Sequence, residues 1–517
     1  MPTRRKTPIV LWILLAVAVV FVVGVVSLLT VPAPIEVWLQ GRVVEALREH
    51  YGRDVRLQNL HVTLIPEFGA TADNFVLPNR GNGEFPPLIT VKHITMRAGL
   101  PELLRTPVHI SWLRLEGLEI YVPPKQEPGA GAAAGKPKQH TRLANFDIDK
   151  VDADGAQLYI LRRDPRREPL QFELRRLKLR SAGVGQPMTF KAELTNPTPP
   201  GLIETTGRFG PWDFDEPSDT RVNGHYTFQH ADLSVFNGIS GILSSVGDYT
   251  GVLRNIVVDG TTDTPDFELD RGGQSVHLTT VFHAVVDGTN GNTYLQPVKA
   301  HFLNSDIVTR GEVANPPGVK GKTITLDTDI ENARLQDVLT LAAKSEPPAV
   351  TGRLTLKAKL QIPPGKDPVL QKMLLDGKFG VTGAHFTHHK VKSAIAELSR
   401  RGQGKPEDDS ITDVPADFSG DFDLRHATLT FSRLQFVVQG AAAQMRGSYG
   451  LHSEAVDFVG DVRLSARISE TVQGIGHWVL IPFDPLFMKH GAGTYLPVEI
   501  TGTRDHPDVR LQLGKIF

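Results

Sequence analysis

The chain of 517 residues contains no cysteine, and only 7% of its residues are aromatic. The absence of cysteine excludes disulfides, thiolate metal sites and cysteine nucleophiles. An excess of positive charge is also missing, because 56 basic residues face 57 acidic ones and three of the basic residues cluster at positions 4–6. The rest of the chain is therefore mildly acidic, which argues against a nucleic-acid partner.

Catalytic motifs are scarce as well, since the sequence has neither a Gly-x-Ser-x-Gly elbow nor a His-Glu-x-x-His pair. Residues 316–323 resemble a phosphate-binding loop, but Pro316 replaces the first glycine of that motif, which favours a hairpin turn. The aspartates within residues 147–154 lack the spacing of a calcium loop and are interpreted as solvated strand or turn positions. His388 and His389 lack a third ligand and are interpreted as an exposed strand end. We predict no catalytic residue, metal site or cofactor, although distant carboxylate pairs of the glycosidase kind leave no sequence signature.

One long hydrophobic run is present near the N-terminus. Residues 9–29, from Ile9 to Leu29, are almost wholly apolar, and no charged residue occurs from position 7 to position 35. A run of this length predicts a transmembrane helix. A cleaved signal peptide is the alternative, but Pro34 directly follows the nearest cleavage site. The basic cluster before the run predicts that residues 1–8 are cytoplasmic and that the body lies beyond the membrane.

The body is rich in turn-forming residues, with 48 glycines and 37 prolines. Residues 34–52 have helical spacing and predict an amphipathic helix, packed against the first sheet or lying on the lipid surface. From residue 55 onward apolar and polar residues alternate, which predicts a mostly β body of antiparallel strands. Short helical inserts are expected at residues 232–246, 333–344, 368–375 and 391–400. Residues 123–142 have the composition of a flexible linker.

An internal repeat occurs on either side of that linker. The pattern Ile110-x-x-Leu113-x-x-x-Gly117-x-x-Ile120 reappears 38 residues later as Ile148-x-x-Val151-x-x-x-Gly155-x-x-Leu158. This repetition predicts that a unit of two strands and a glycine turn is used twice.

The clearest strand pattern lies at residues 354–360, where Leu354, Leu356, Ala358 and Leu360 alternate with Thr355, Lys357 and Lys359. Since successive side chains of a strand point to opposite faces, one face is predicted to be apolar and the other solvated. The apolar face either packs in a closed sandwich or lines an open groove.

The combination of anchor, helix and strand motifs resembles the AsmA-like family of bacterial envelope proteins. The resemblance covers about half of the chain and is carried by a few short motifs: Tyr51-Gly52-Arg53-Asp54-Val55, Leu64-Ile65-Pro66, Leu398-Ser399-Arg400-Arg401-Gly402, Arg446-Gly447-Ser448-Tyr449-Gly450-Leu451, Phe483-Asp484-Pro485-Leu486-Phe487 and Tyr495-Leu496-Pro497-Val498-Glu499-Ile500. It divides the body into an N-terminal module (34–122), a middle region (143–365) and a C-terminal module (366–517).

This resemblance implies a fold and a function. The implied fold is an N-terminal transmembrane helix followed by an elongated, twisted antiparallel β-sheet that forms a groove, with short helical inserts. The implied function is to bind or conduct glycerophospholipid between the bacterial inner and outer membranes, with a periplasmic body and no enzymatic activity. The residues expected to line the groove are Leu354, Leu356, Leu360, Phe422 and Leu424. The alternatives are a scaffold that assists outer-membrane protein assembly through exposed sheet edges, and an envelope hydrolase.

Overall fold

A computed structural model describes the greater part of the body of the protein. The described residues are 56–63, 68–78, 86–98, 108–122, 146–161, 168–183, 187–210, 217–270, 272–316, 319, 321–343, 346–472, 480–481, 484–488 and 493–512. The predicted anchor at residues 9–29, the amphipathic helix at 34–52 and the linker at 123–142 lie outside these residues. Within the described residues, no helix has both the length and the apolar character needed to cross a membrane.

The described chain is mostly β, as the alternating pattern predicts, and its strands form long, predominantly antiparallel sheet. The first eleven strands are β1 Arg56–Thr63, β2 Phe68–Leu77, β3 Ile89–Ala98, β4 Val108–Ile110, β5 Trp112–Glu116, β6 Glu119–Val122, β7 Phe146–Ile160, β8 Leu170–Gly183, β9 Met188–Pro197, β10 Pro200–Phe209 and β11 Arg221–Asp232. The next eight are β12 Ile239–Ser240, β13 Ile242–Val252, β14 Asn255–Leu269, β15 Val276–Val286, β16 Thr293–Phe302, β17 Ser305–Ala314, β18 Thr323–Arg334 and β19 Val350–Ile362. The last seven are β20 Leu374–Phe386, β21 Ala416–Arg425, β22 Thr428–Val438, β23 Ala441–Gly450, β24 Ala455–Leu464, β25 Thr494–Thr503 and β26 Pro507–Leu511.

The described residues between the later strands include four α-helices: α1 Leu335–Ala342, α2 Val369–Lys372, α3 His389–Gly402 and α4 Asp484–Phe487. The helices predicted at 333–344, 368–375 and 391–400 are confirmed as α1, α2 and α3. The helix predicted at 232–246 is wrong, because that stretch holds a single 3-10 turn, Leu233–Val235, followed by β12 and the start of β13. Gly238 and Gly241, with φ of 101° and 127°, adopt backbone conformations that no α-helix contains.

The chain divides into two compact units. The first comprises Met1–Asp232, Leu243–Thr261 and Ala284–Asn292, and the second comprises Leu233–Ile242, Thr262–His283 and Thr293–Phe517.

In the first unit, the two copies of the predicted internal repeat pair with each other as parallel strands. β4, β5 and β6 pair with β7, and each pairing joins residues 38 positions apart, from Val108 with Phe146 to Val122 with Ile160. The expected pair of strands with a glycine turn is correct for the first copy, where Gly117 separates β5 from β6. For the second copy it is wrong, because β7 runs without a break through Gly155. Both glycines have positive φ, 64° and 67°, so the two copies bend at the same place.

The other pairings of the first unit are antiparallel. β1 pairs with β2, β2 with β3, and β3 with β5 and β6, while β7 continues through β8, β9 and β10 to β11. The early strands contain a dense core, in which Phe75, Val91, Ile110 and Leu113 are at most 1% exposed. Ile89, Val91, Ile94, Met96 and Ala98 of β3 are buried, as expected of a strand with one face in a closed core, and the alternation slips by one residue between Val91 and Ile94.

The second unit is an antiparallel meander in which each strand from β16 to β26 pairs with the next. The segment at 316–323 joins β17 to β18, so its interpretation as a hairpin connection is confirmed. Helices α1 and α3 contribute Leu335, Ile395 and Ala396 to a core cluster with Leu354 of β19 and Val381 of β20. This cluster covers one end of the apolar face of the meander.

Candidate functional site

All five residues predicted to line a groove lie on the same face of the second unit. Leu354, Leu356 and Leu360 share one face of β19 by alternation. The other two are placed on it by register, since Leu360 pairs with Leu375 and Leu375 with Leu424, while Ala358 pairs with Gly377 and Gly377 with Phe422. The five residues nevertheless differ in burial. Leu354 and Leu424 are 5% and 3% exposed, whereas Leu356, Leu360 and Phe422 are half-buried.

The opposite face of the same strands carries paired charges, as the alternation predicts. Lys357 of β19 forms an ion pair with Asp329 of β18 at 3.1 Å, and Asp421 of β21 forms ion pairs with Lys378 of β20 at 3.8 Å and with Arg433 of β22 at 3.0 Å. Pairs of opposite charge on neighbouring strands stabilise a solvated face modestly. The sheet therefore has one wet face and one apolar face over this whole width.

The apolar face changes character along the strands. At one end it lies in the cluster with α1 and α3, where Leu354, Val381 and Ala384 are at most 5% exposed. Toward the other end, Ala358, Leu360 and Ile362 of β19 are half-buried. A closed sandwich would bury every second residue to the same degree. The middle of β19 thus differs from β3, where five apolar residues are buried.

Phenylalanine rings cover glycines on this face. The ring of Phe379 lies over Gly420, where an added Cβ would meet ring carbon Cε1 at 2.9 Å, and the ring of Phe458 lies over Gly447 at 2.7 Å from Cδ1. Phe431 links the two rings, with centroid distances of 6.2 Å to Phe379 and 5.9 Å to Phe458. Rings that lie down on bare backbone give a smooth apolar surface and restore packing that glycine lacks.

The first unit has a comparable half-open stretch after its dense core. On β8, β9 and β10, alternate apolar residues such as Leu177, Phe190 and Ile203 are half-buried. Two tyrosines on β11 and β13, Tyr226 and Tyr249, break this apolar pattern. Burial is the main cause that raises the pKa of both phenols above the ordinary value.

No group of three or more His, Asp or Glu side chains among the described residues is arranged to hold a metal ion. The aspartates near residue 150 belong to β7, where Asp152 accepts hydrogen bonds from Trp112 Nε1 at 2.7 Å and from Lys150 Nζ at 2.8 Å. Burial acts to raise the pKa of Asp152, but these two bonds outweigh it and the pKa is lowered. His388 and His389 are exposed, and the expected strand end is wrong because they lie at the start of α3.

Sequence reasoning missed the phenylalanine cluster and the tyrosines. Their signal is a glycine two residues from an aromatic residue, as in Gly224-x-Tyr226 and Gly377-x-Phe379. That spacing puts a ring and a bare backbone position on one face of a strand.

No protein-family model, no curated protein and no solved structure matches the chain.

Proposed function

We propose that this protein binds and conducts glycerophospholipid along the half-open apolar faces of its sheets. The observation that carries the proposal is the half-burial of Leu360 and Phe422, beyond the core cluster on which Leu356 packs, on a face whose reverse side carries paired charges. Exposure of an extended apolar face to water is unfavourable, since covering each square ångström of apolar surface lowers the free energy by roughly 25 cal/mol. Acyl chains also gain by leaving water, because each CH₂ group that is buried contributes about 0.8 kcal/mol of binding free energy.

The cellular setting belongs to the same proposal. The apolar run from Ile9 to Leu29 anchors the chain in the bacterial inner membrane, and the basic residues before it keep the N-terminus in the cytoplasm. The β body is then periplasmic, and the protein acts as an AsmA-like lipid-transfer protein, with an elongated, twisted groove, rather than as an enzyme. In this role the half-open faces supply an apolar lining and need no nucleotide or metal at the lining itself.

Site-specific photo-crosslinking tests the proposal directly. A photoreactive amino acid replaces Leu360, and the matched control replaces Lys359, which is adjacent on β19 but faces the charged side. A second control replaces Leu354, which lies on the apolar face but under the helices. After irradiation of living cells, mass spectrometry of the purified protein should find phospholipid attached at position 360 and at neither control. A folded protein with no lipid at position 360 would refute the proposal.

A second candidate function, assistance to outer-membrane protein assembly, is favoured by the strand β26. All five of its residues are exposed, Val509 at 61% and Leu511 at 52%, and within the described part of the chain it pairs with β25. An exposed strand edge can add a strand from another chain. Because the chain has no cysteine, a Val509→Cys variant carries a unique cross-linking site. A specific protein adduct there, without lipid at position 360, would favour the scaffold.

A further inference from the structure

A small polar site interrupts the apolar face of the first unit. Thr205 of β10 pairs with Tyr226 of β11, and the neighbouring pairs on the same face are apolar, Ile203 with Phe228 and Phe209 with Val222. Ser245 and Tyr249 of β13 complete the site. Four hydroxyl groups therefore stand together on a surface that is otherwise suited to hydrocarbon.

The hydrogen bonds fix which way each hydroxyl points. Thr205 Oγ1 donates to the carbonyl oxygen of His225 at 2.9 Å, and Ser245 Oγ donates to that of Thr261 at 2.9 Å. A hydroxyl group has one proton to donate. The phenol of Tyr249 must therefore donate to Thr205 Oγ1 at 2.7 Å, and the phenol of Tyr226 to Ser245 Oγ at 3.0 Å. Both phenolic protons are engaged in hydrogen bonds within the site. Each phenolic oxygen can therefore act toward a ligand only as a hydrogen-bond acceptor.

Glycines set the orientation of the two rings. A Cβ added to Gly224 would lie 2.6 Å from Tyr249 Oη and 2.9 Å from its Cζ, and one added to Gly247 would lie 3.0 Å from Tyr226 Cε1. The phenol end of Tyr249 and one ring edge of Tyr226 therefore lie directly over bare backbone. The ring centroids are 6.4 Å apart and the planes are tilted by 41°, so the two rings form a shallow aromatic corner.

The described hydrogen bonds of the two phenols involve no cationic side chain. Burial is the largest cause that raises the pKa of Tyr226, the bond with Ser245 lowers it, and the charge of Asp248 raises it. Burial also raises the pKa of Tyr249, and its bond with Thr205 lowers it. Asp248 lies on the opposite, exposed face and bonds His225 there at 3.0 Å. A phosphate or an ester carbonyl would require a free donor, and the four described hydroxyl groups of the site already use their protons.

We propose that Tyr226 and Tyr249 recognise the ammonium head group of a lipid whose acyl chains lie on the adjoining apolar face. This inference rests on the proposed lipid-binding function and adds a substrate class to it. The ring faces attract the cation through their π electrons, as aromatic cages do. The phenolic oxygens accept hydrogen bonds from a primary ammonium group such as that of ethanolamine, whereas a quaternary ammonium group such as that of choline uses the rings alone.

A purely structural role for the rings makes a different prediction. If Tyr226 and Tyr249 serve only to cover Gly247 and Gly224, phenylalanine would replace them with no effect on lipid selection. The test therefore compares three lipids with identical acyl chains, namely phosphatidylethanolamine, phosphatidylcholine and the anionic phosphatidylglycerol. The full-length protein in detergent is offered each pair of lipids in competition, and the bound ratio is measured by mass spectrometry.

The native protein should favour both ammonium lipids over phosphatidylglycerol by about three- to thirtyfold, the range expected of a cation on a partly desolvated aromatic site. The double variant Tyr226→Leu, Tyr249→Leu should lose this preference and still bind lipid. The double variant Tyr226→Phe, Tyr249→Phe should weaken the preference for phosphatidylethanolamine, which loses its phenolic acceptors, and keep that for phosphatidylcholine. Tyr294→Leu, which removes an exposed tyrosine ring from the other unit, is the matched control and should leave all ratios unchanged.

The possible failures are distinguishable. Lipid binding with equal ratios in the native protein would overturn the head-group site and leave the proposed function intact. Absence of any bound lipid would overturn both. Glycerophosphoethanolamine, which has the head group without acyl chains, should compete poorly, and binding as tight as that of the whole lipid would show that the site takes a free amine instead.

Discussion

Two leucines of β19 provide a direct measure of whether the apolar face is open. Leu354 and Leu360 lie on the same strand and the same face, but Leu354 is 5% exposed in the cluster with Ile395 and Ala396, and Leu360 is half-buried beside Leu326 and Leu375. Replacement of a buried leucine by alanine costs about 2–5 kcal/mol, because a cavity remains where the side chain was. A half-exposed leucine leaves no closed cavity, so Leu360→Ala should cost roughly 1 kcal/mol, part of the transfer free energy alone.

Native-state hydrogen exchange of the β18–β20 amides is the appropriate assay, because it reports the local free energy of opening in a chain with two units. The measurement is made on delipidated protein and repeated after lipid is added. Lipid should protect these amides in the native protein and in Leu354→Ala, and should protect them less in Leu360→Ala. Equal destabilisation by the two substitutions, with no effect of lipid on either, would mean that position 360 lies in a closed core and that the reasoning is wrong.

Three further predictions concern single residues. Gly155→Ala should destabilise the first unit by about 1–2 kcal/mol in urea unfolding, because φ is 67° there while the space around the new Cβ is empty, so that the cost is conformational strain alone. Ultraviolet difference spectroscopy should show Tyr121 titrating with a pKa of about 12, raised by burial and by its bond to Glu119. Since this pKa is higher in the folded state, the associated stability is present below pH 10 and is lost between about pH 10 and 12. The pKa of Asp413 is lowered, chiefly by its hydrogen bond with His385. Its contribution to stability is therefore present above its ordinary titration range and is lost as the pH falls below about 4. The variant Asp413→Asn should make the stability less dependent on pH in this acidic range.

Local patterns predicted much of the fold because strand alternation is a property of neighbouring residues. The two faces of β19 follow from the identities of Leu356 and Lys357 and their neighbours, whatever lies above the sheet. The helix predicted at 232–246 failed for a related reason. Leu233 and Phe236 have helical spacing, but Ile242 begins an alternating run that belongs to β13, and glycines separate the two. Pairing with other strands decided a segment whose own pattern was ambiguous.

The sequence could not predict how deeply each residue of the apolar face is buried. Leu354 and Leu360 are chemically identical, and they differ because α1 and α3 pack over one of them. The tyrosine site has the same origin, since Thr205, Tyr226 and Tyr249 come from three strands and meet through register. The sequence contains each residue and each neighbouring glycine, but the contact between Tyr249 and Thr205 spans an intervening strand.

The repeat across residues 108–160 shows how sequence similarity and pairing are physically connected. In a parallel pair with no stagger, partners lie at the same height and on the same face, so each pair needs the same class of side chain. Ile110 with Ile148 and Leu113 with Val151 are buried together, and Tyr121 stacks on Tyr159 with centroids 4.6 Å apart. A shift by one residue would turn every apolar side chain of β7 to the charged face. The constant offset of 38 is therefore maintained by the core itself, and the segment between the copies is free to vary in composition as long as it spans the crossover.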